Sequence, residues 1–83
     1  MTTTHNSPIM SLTFAPAETA LVVVSTSGGY EFQRKIASLG IYPDEQLEIV
    51  ERHSQGALVI KVKGSRLAIG HGMSRKIKVK VVQ

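Results

Sequence analysis

Residues 1–8 are Thr-rich, with Asn, Ser and Pro and nothing to bury, and they read as a flexible N-terminal tail. The pattern changes at Ile9. Ile9, Leu12 and Phe14 are apolar before Pro16 interrupts. Residues 20–24, Ala-Leu-Val-Val-Val, form a short apolar run bounded by Glu18-Thr19 and by a Ser/Gly-rich stretch, which predicts a buried strand. A helical period follows. Phe32, Ile36 and Leu39 stand at i, i+4 and i+7, with Glu31, Gln33, Arg34, Lys35 and Ser38 on the other face. All three apolar residues are expected to be buried. Glu31 and Lys35 make an i,i+4 pair in the favourable order. Ser27 is the expected N-cap, Gly40 the left-handed residue after the helix, and Pro43 blocks its continuation.

The second half has a period of two. Leu47 and Ile49 share a face with Glu48 opposite. After a turn at 53–56, Leu58, Ile60 and Val62 alternate with Val59, Lys61 and Lys63. Gly64-Ser65 makes a tight connection into a short strand at 66–69, and residues 70–75 read as a turn or a single helical turn. In the last strand Lys76, Lys78 and Lys80 face one side while Ile77, Val79 and Val81 face the other. The predicted fold class is mostly β. The expected architecture is a small, closed or nearly closed barrel of about five strands, with one α-helix between the first and second strands and a short helical turn before the last.

The chain has 83 residues, enough for one domain, placed at 9–83. Hydrophobic residues make up 42% and charged residues 19%, too apolar for a disordered chain. Cysteine is absent, which excludes disulfides, thiolate zinc sites and iron–sulfur clusters. A domain this small without staples points to a reducing compartment. No apolar run approaches the roughly 20 residues of a membrane span, and no signal peptide is visible. The expectation is a soluble, cytoplasmic protein with no membrane insertion. The net charge of +4 permits an acidic partner without choosing one.

Candidate chemistry is sparse. His5, His53 and His71 share no helical i,i+3 or i,i+4 spacing and have no cysteine beside them. His53 and His71 are the weak metal candidates, and no cofactor is expected beyond weak transition-metal contacts. Lys61, Lys63, Lys76, Lys78 and Lys80 form an alternative basic surface if their strands are neighbours. A nucleic-acid surface would add exposed aromatics on those strands, and none is there. Gly28-Gly29 lacks the Gly-Lys-Ser/Thr ending of a phosphate loop, and the acids and the Ser, His and Asp residues show no catalytic spacing. No enzyme is expected.

Two segments carry a family resemblance: Arg34-Lys35-Ile36-Ala37-Ser38-Leu39-Gly40-Ile41-Tyr42-Pro43, and Leu67-Ala68-Ile69-Gly70. The order of elements resembles the FeoA family, small cytoplasmic partners of the FeoB ferrous-iron transporter. The resemblance implies an SH3-like barrel, related to the C-terminal barrels of DtxR-type metal-dependent repressors. It implies a non-enzymatic accessory of ferrous-iron transport that docks on the cytoplasmic part of a FeoB-type permease. Transition-metal binding comes with the family by kinship to those repressors, but no ligand set here matches one. Four departures stand out. Pro43-Asp44 replaces the usual Pro-Gly, Leu67-Ala68-Ile69 replaces Ala-Leu while staying apolar, Ser74 replaces a helical Ala, and residues 1–8 have no counterpart.

Tyr30, Arg34, Lys35 and Tyr42 combine amphipathic rings with cations at the two ends of the helix and are the expected partner-binding residues. The rival readings are a transition-metal-binding or sensing module built on His53 and His71, and a basic nucleic-acid-binding barrel.

Overall fold

The computed structural model describes residues 8–82. The expected tail therefore lies outside the described residues, apart from exposed Pro8. The described residues form strands β1 (Met10–Ser11), β2 (Leu21–Thr26), β3 (Gln46–Arg52), β4 (Leu58–Val62), β5 (Ser65–Ile69) and β6 (Ile77–Val81). Helix α1 spans Tyr30–Ser38 and the short α2 spans His71–Ser74. Single 3-10 turns occur at Leu12–Phe14 and Ser54–Gly56. The strands make one antiparallel sheet in the order β1-β6-β2-β3-β4-β5, with β1 and β5 at its open ends. The fold is SH3-like.

Six strands stand where five were expected. The extra one is β1, two residues long, paired to β6 through Met10↔Val79 and Ser11↔Lys78. So short a strand has no period of its own; β6 defines it.

One face of the sheet supplies the core. Leu21, Val23, Leu47, Ile49, Leu58, Ile60, Val62, Ile69, Ile77 and Val79 are buried in a single cluster with Leu12, Ala15, Ile36 and Ile41. Register shifts between Val23 and Ser25 in β2, and between Ile49 and Glu51 in β3, mark bulges. Bulges bend and twist strands, which lets one sheet face wrap a compact core. The apolar run at 20–24 is buried on one face only: Leu21 and Val23 point inward, Val22 and Val24 are half-buried, and Ala20 is exposed. The core-facing alternation of β3, β4 and β6 matches the sequence reading.

The helix ends differ in how well they follow expectation. Gly40 has φ +86°, as its place after the helix requires. The N-cap, however, is Gly29, with no side-chain hydrogen bond. Ser27 is instead part of the β2–β6 border, where its N–H donates to the Lys76 carbonyl at 2.9 Å. Gln33 fastens the helix entrance: its amide donates to the Thr26 carbonyl at 3.2 Å and accepts from the Thr26 hydroxyl. Ile36 is buried, whereas Phe32 and Leu39 are half-buried at the rim of the cluster. Gly28, at φ +120°, lies under the Phe32 ring, which a Cβ would meet at 2.8 Å.

Candidate functional site

Tyr30 opens α1 and is 75% exposed. One turn later the Arg34 guanidinium stands 5.8 Å from its ring centroid. Arg34 and Lys35, with Glu31 and Ser38, line a shallow depression on the outer face of α1. The periodicity that sends Ile36 inward sends these residues outward.

At the other end of α1, Ile41 is buried and Tyr42 is 47% exposed. The Glu45 N–H donates to the Tyr42 carbonyl at 3.0 Å, closing a turn with Pro43 second and Asp44 third. Asp44 has φ +73°, so the turn is type II and Asp occupies the position that favours Gly. Its N–H donates to the Val23 carbonyl at 2.8 Å, fixing the turn to β2.

Lys63 joins this end of the helix. It sits with Gly64 in the two-residue β4–β5 connection, at φ +53° and +79°, the type I′ pattern of a tight hairpin. Its ammonium pairs with Glu45 at 3.3 Å and lies 5.5 Å from the Tyr42 ring centroid. Both exposed tyrosines thus carry a cation over the ring, an arrangement that holds the rings without burying them.

The five lysines of the basic surface are not brought together by neighbouring strands, since β2 and β3 separate β6 from β4. Lys61 faces Glu48 on one side and Arg66 on the other across the ladder. With Lys63, Glu48, Gln46 and Ala20 it borders an open groove of about 210 Å³. Lys76 stands 4.8 Å over the Phe32 ring. Lys78 and Lys80 remain on the outer face of β6.

The histidines are apart in role. His53 Nε2 lies 3.1 Å from Glu51 at the end of β3. His71 begins α2 and packs on Gly56, where a Cβ would meet its Nδ1 at 2.5 Å. Among the described residues no group of three or more His, Asp or Glu side chains converges, so the donors present do not fit a closed metal site. His5 lies outside the described residues. No helix among the described residues is long and apolar enough to cross a membrane.

Two polar residues to which the sequence assigns no role prove structurally important. Arg52 donates to the Thr13 carbonyl at 2.7 Å and to the Ala15 carbonyl, clamping the 3-10 turn at Leu12–Phe14. Ser74 is 0% exposed and fully hydrogen-bonded within α2 and to Thr13. The contacts with Thr13 and Ala15 span tens of residues, beyond any local pattern.

Comparison with known proteins gives a consistent result. The model of the FeoA domain family matches residues 10–81. The chain is 32% identical over 68 residues to the "Putative Fe(2+) transport protein A" of Methanocaldococcus jannaschii, covering 82% of each chain. A crystal structure of an iron uptake regulatory protein, FeoA, superposes with a TM-score of 0.84 at 28% identity, over 90% of this chain and 100% of that one. A manganese-dependent transcriptional repressor superposes with a TM-score of 0.83 at 20% identity, over 94% of this chain but 44% of that one. That second likeness is one of fold alone.

Proposed function

The chain belongs to the FeoA family, and from that membership we propose that it is a non-enzymatic cytoplasmic accessory of ferrous-iron transport, docking on the cytoplasmic part of a FeoB-type permease. The observation that carries the docking surface is the pair of exposed tyrosines at the two ends of α1, each with a cation over its ring. Tyrosine and arginine are the side chains that most often anchor protein interfaces. The two depressions beside α1 and between β3 and β4 are shallow and open to solvent, and the reading gives the chain no chemical step. Iron is the cargo of the system here, and no resident metal is part of the reading. Titration of the full chain against the permease's cytoplasmic domain tests it. Binding weakened by Tyr30→Ala, Arg34→Ala or Tyr42→Ala supports the helix-centred surface. Binding that survives all three, yet is lost on changing the β6 lysines, moves the interface to the other side of the sheet.

A further inference from the structure

Charge is divided unequally over the sheet. The acidic residues are Glu18, Glu31, Asp44, Glu45, Glu48 and Glu51. None falls on β1, β2, β6, α2 or the turn at Leu12–Phe14. In the other half, Lys63 pairs with Glu45 and Lys61 faces Glu48. On β6, by contrast, Lys78 stands between Ser11 and Ser25, and Lys80 stands beside Val22. Neither lysine has an ion-pair partner among the described residues. Exposed Arg75 precedes the strand and adds a further positive charge.

Exposed apolar groups border these cations. Continuing the Met10↔Val79 register by one residue sets Ile9 beside Lys80, on the outer face, and Ile9 is 61% exposed. Phe14 is 79% exposed at the end of the 3-10 turn, which packs against α2 and β6. Its backbone is pinned on both sides. Arg52 binds the carbonyls of Thr13 and Ala15, and the Thr13 hydroxyl lies 2.9 Å from that of Ser74. Just before the turn, the Ser11 hydroxyl lies 3.2 Å from the carbonyls of both Ser74 and Arg75. A large ring presented to water on a clamped turn, with unpaired lysines on the strand that the turn packs against, is the composition of an interfacial anchor.

We propose that the edge formed by β1, the Leu12–Phe14 turn and β6 docks on an anionic lipid surface. Phe14 and Ile9 enter the headgroup region while Lys78, Lys80 and Arg75 lie against the phosphates. Flexible, strongly hydrated ammonium groups suit a fluid array of headgroups, which imposes no fixed donor geometry. Nucleic acid fits the same edge less well, because Phe14 is its one exposed ring among the described residues, whereas a single strand is held by stacking successive bases on several rings, and the Phe32 ring is already covered by Lys76. The inference is independent of the permease reading, which uses the opposite ends of α1.

The test is flotation of the full chain with phosphatidylcholine vesicles, with and without one third phosphatidylglycerol. Binding is expected only to the anionic vesicles, and it should vanish near 1 M salt, where the Debye length is about 3 Å. Lys78→Gln with Lys80→Gln should lower the partition coefficient about 25-fold, roughly fivefold per lysine. The chain contains no tryptophan, so Phe14→Trp is a single fluorescent reporter. Its emission should shift to the blue on anionic vesicles, while that of Tyr30→Trp should not. Equal binding to neutral vesicles, an unshifted Phe14→Trp, or no vesicle binding would each overturn the proposal. So would a single-stranded RNA oligonucleotide that binds through the same lysines while the vesicles do not.

Discussion

The hydroxyls of Thr13 and Ser74 meet at 2.9 Å although 61 residues separate them. Ser74 also donates to the His71 carbonyl at 3.1 Å, so its remaining capacity is as an acceptor, and Thr13 is the donor between them. This contact joins the 3-10 turn before β2 to the helical turn before β6. The position where the family resemblance leads one to expect alanine is therefore a buried, satisfied polar site. Ser74→Ala should destabilise the fold by about 1–2 kcal/mol, because it strips Thr13 of its partner. Thr13→Val combined with Ser74→Ala should cost less than the sum of the two single changes. A double-mutant cycle by urea unfolding checks this, and strict additivity would show that the hydroxyls do not couple.

Burial orders the helix truncations. Ile36 is buried while Leu39 sits at the rim. Ile36→Ala should cost about 2–5 kcal/mol, and Leu39→Ala clearly less. Thermal or denaturant unfolding would reveal the order; the reverse would mean that α1 is rotated about its axis.

Asp44 holds the left-handed position of the type II turn at φ +73°. Asp44→Gly should leave stability unchanged or raise it by up to about 1 kcal/mol, whereas Asp44→Val should lose about 1–2 kcal/mol. Midpoints of chemical denaturation measured side by side decide the matter. Equal midpoints for Gly and Val would remove the strain argument.

For the proposed docking surface, Tyr30→Ala, Arg34→Ala and Tyr42→Ala should each weaken permease-domain binding by more than about 1 kcal/mol, with melting temperature unchanged. Lys78→Gln with Lys80→Gln should alter mainly the association rate and its salt dependence. Surface plasmon resonance separates these two effects.

The donor set sets an expectation for metal. Protein loaded with ferrous iron and dialysed anaerobically should retain no stoichiometric ion, since Glu51 and His53 offer only two donors and no third His, Asp or Glu among the described residues converges on them. A bound ion that survives dialysis, and is lost in His53→Ala or His71→Ala, would restore the sensing module.

Legibility in the sequence followed the range of the interaction. The alternation of β3, β4 and β6 and the stop at Gly40 are local signals, and they read correctly. Strand β1 was invisible because two residues have no period, and its pairing comes from β6. Ser27 looked like a cap because the sequence shows its type but not its engagement with Lys76. The tyrosine–cation pairs were half legible. Tyr30 and Arg34 are four residues apart on one helix, but Lys63 reaches Tyr42 only through the β4–β5 hairpin. Whether the β4 lysines adjoin those of β6 is open in the sequence, because strand order is a global property that no alternation within β4 or β6 encodes; β2 and β3 lie between them.

The place of β6 between β1 and β2 bears on how the chain acquires its shape during synthesis. The β3–β4–β5 meander pairs only with sequence neighbours and can form while translation continues. Strand β1 must wait, and β2, although it can pair with β3, keeps its other edge open. The strand that joins them follows every other described element along the chain, and until it docks β1 and one edge of β2 present unpaired backbone to the solvent. Slowing translation before residue 77 should therefore prolong an aggregation-prone nascent state without touching a single native contact.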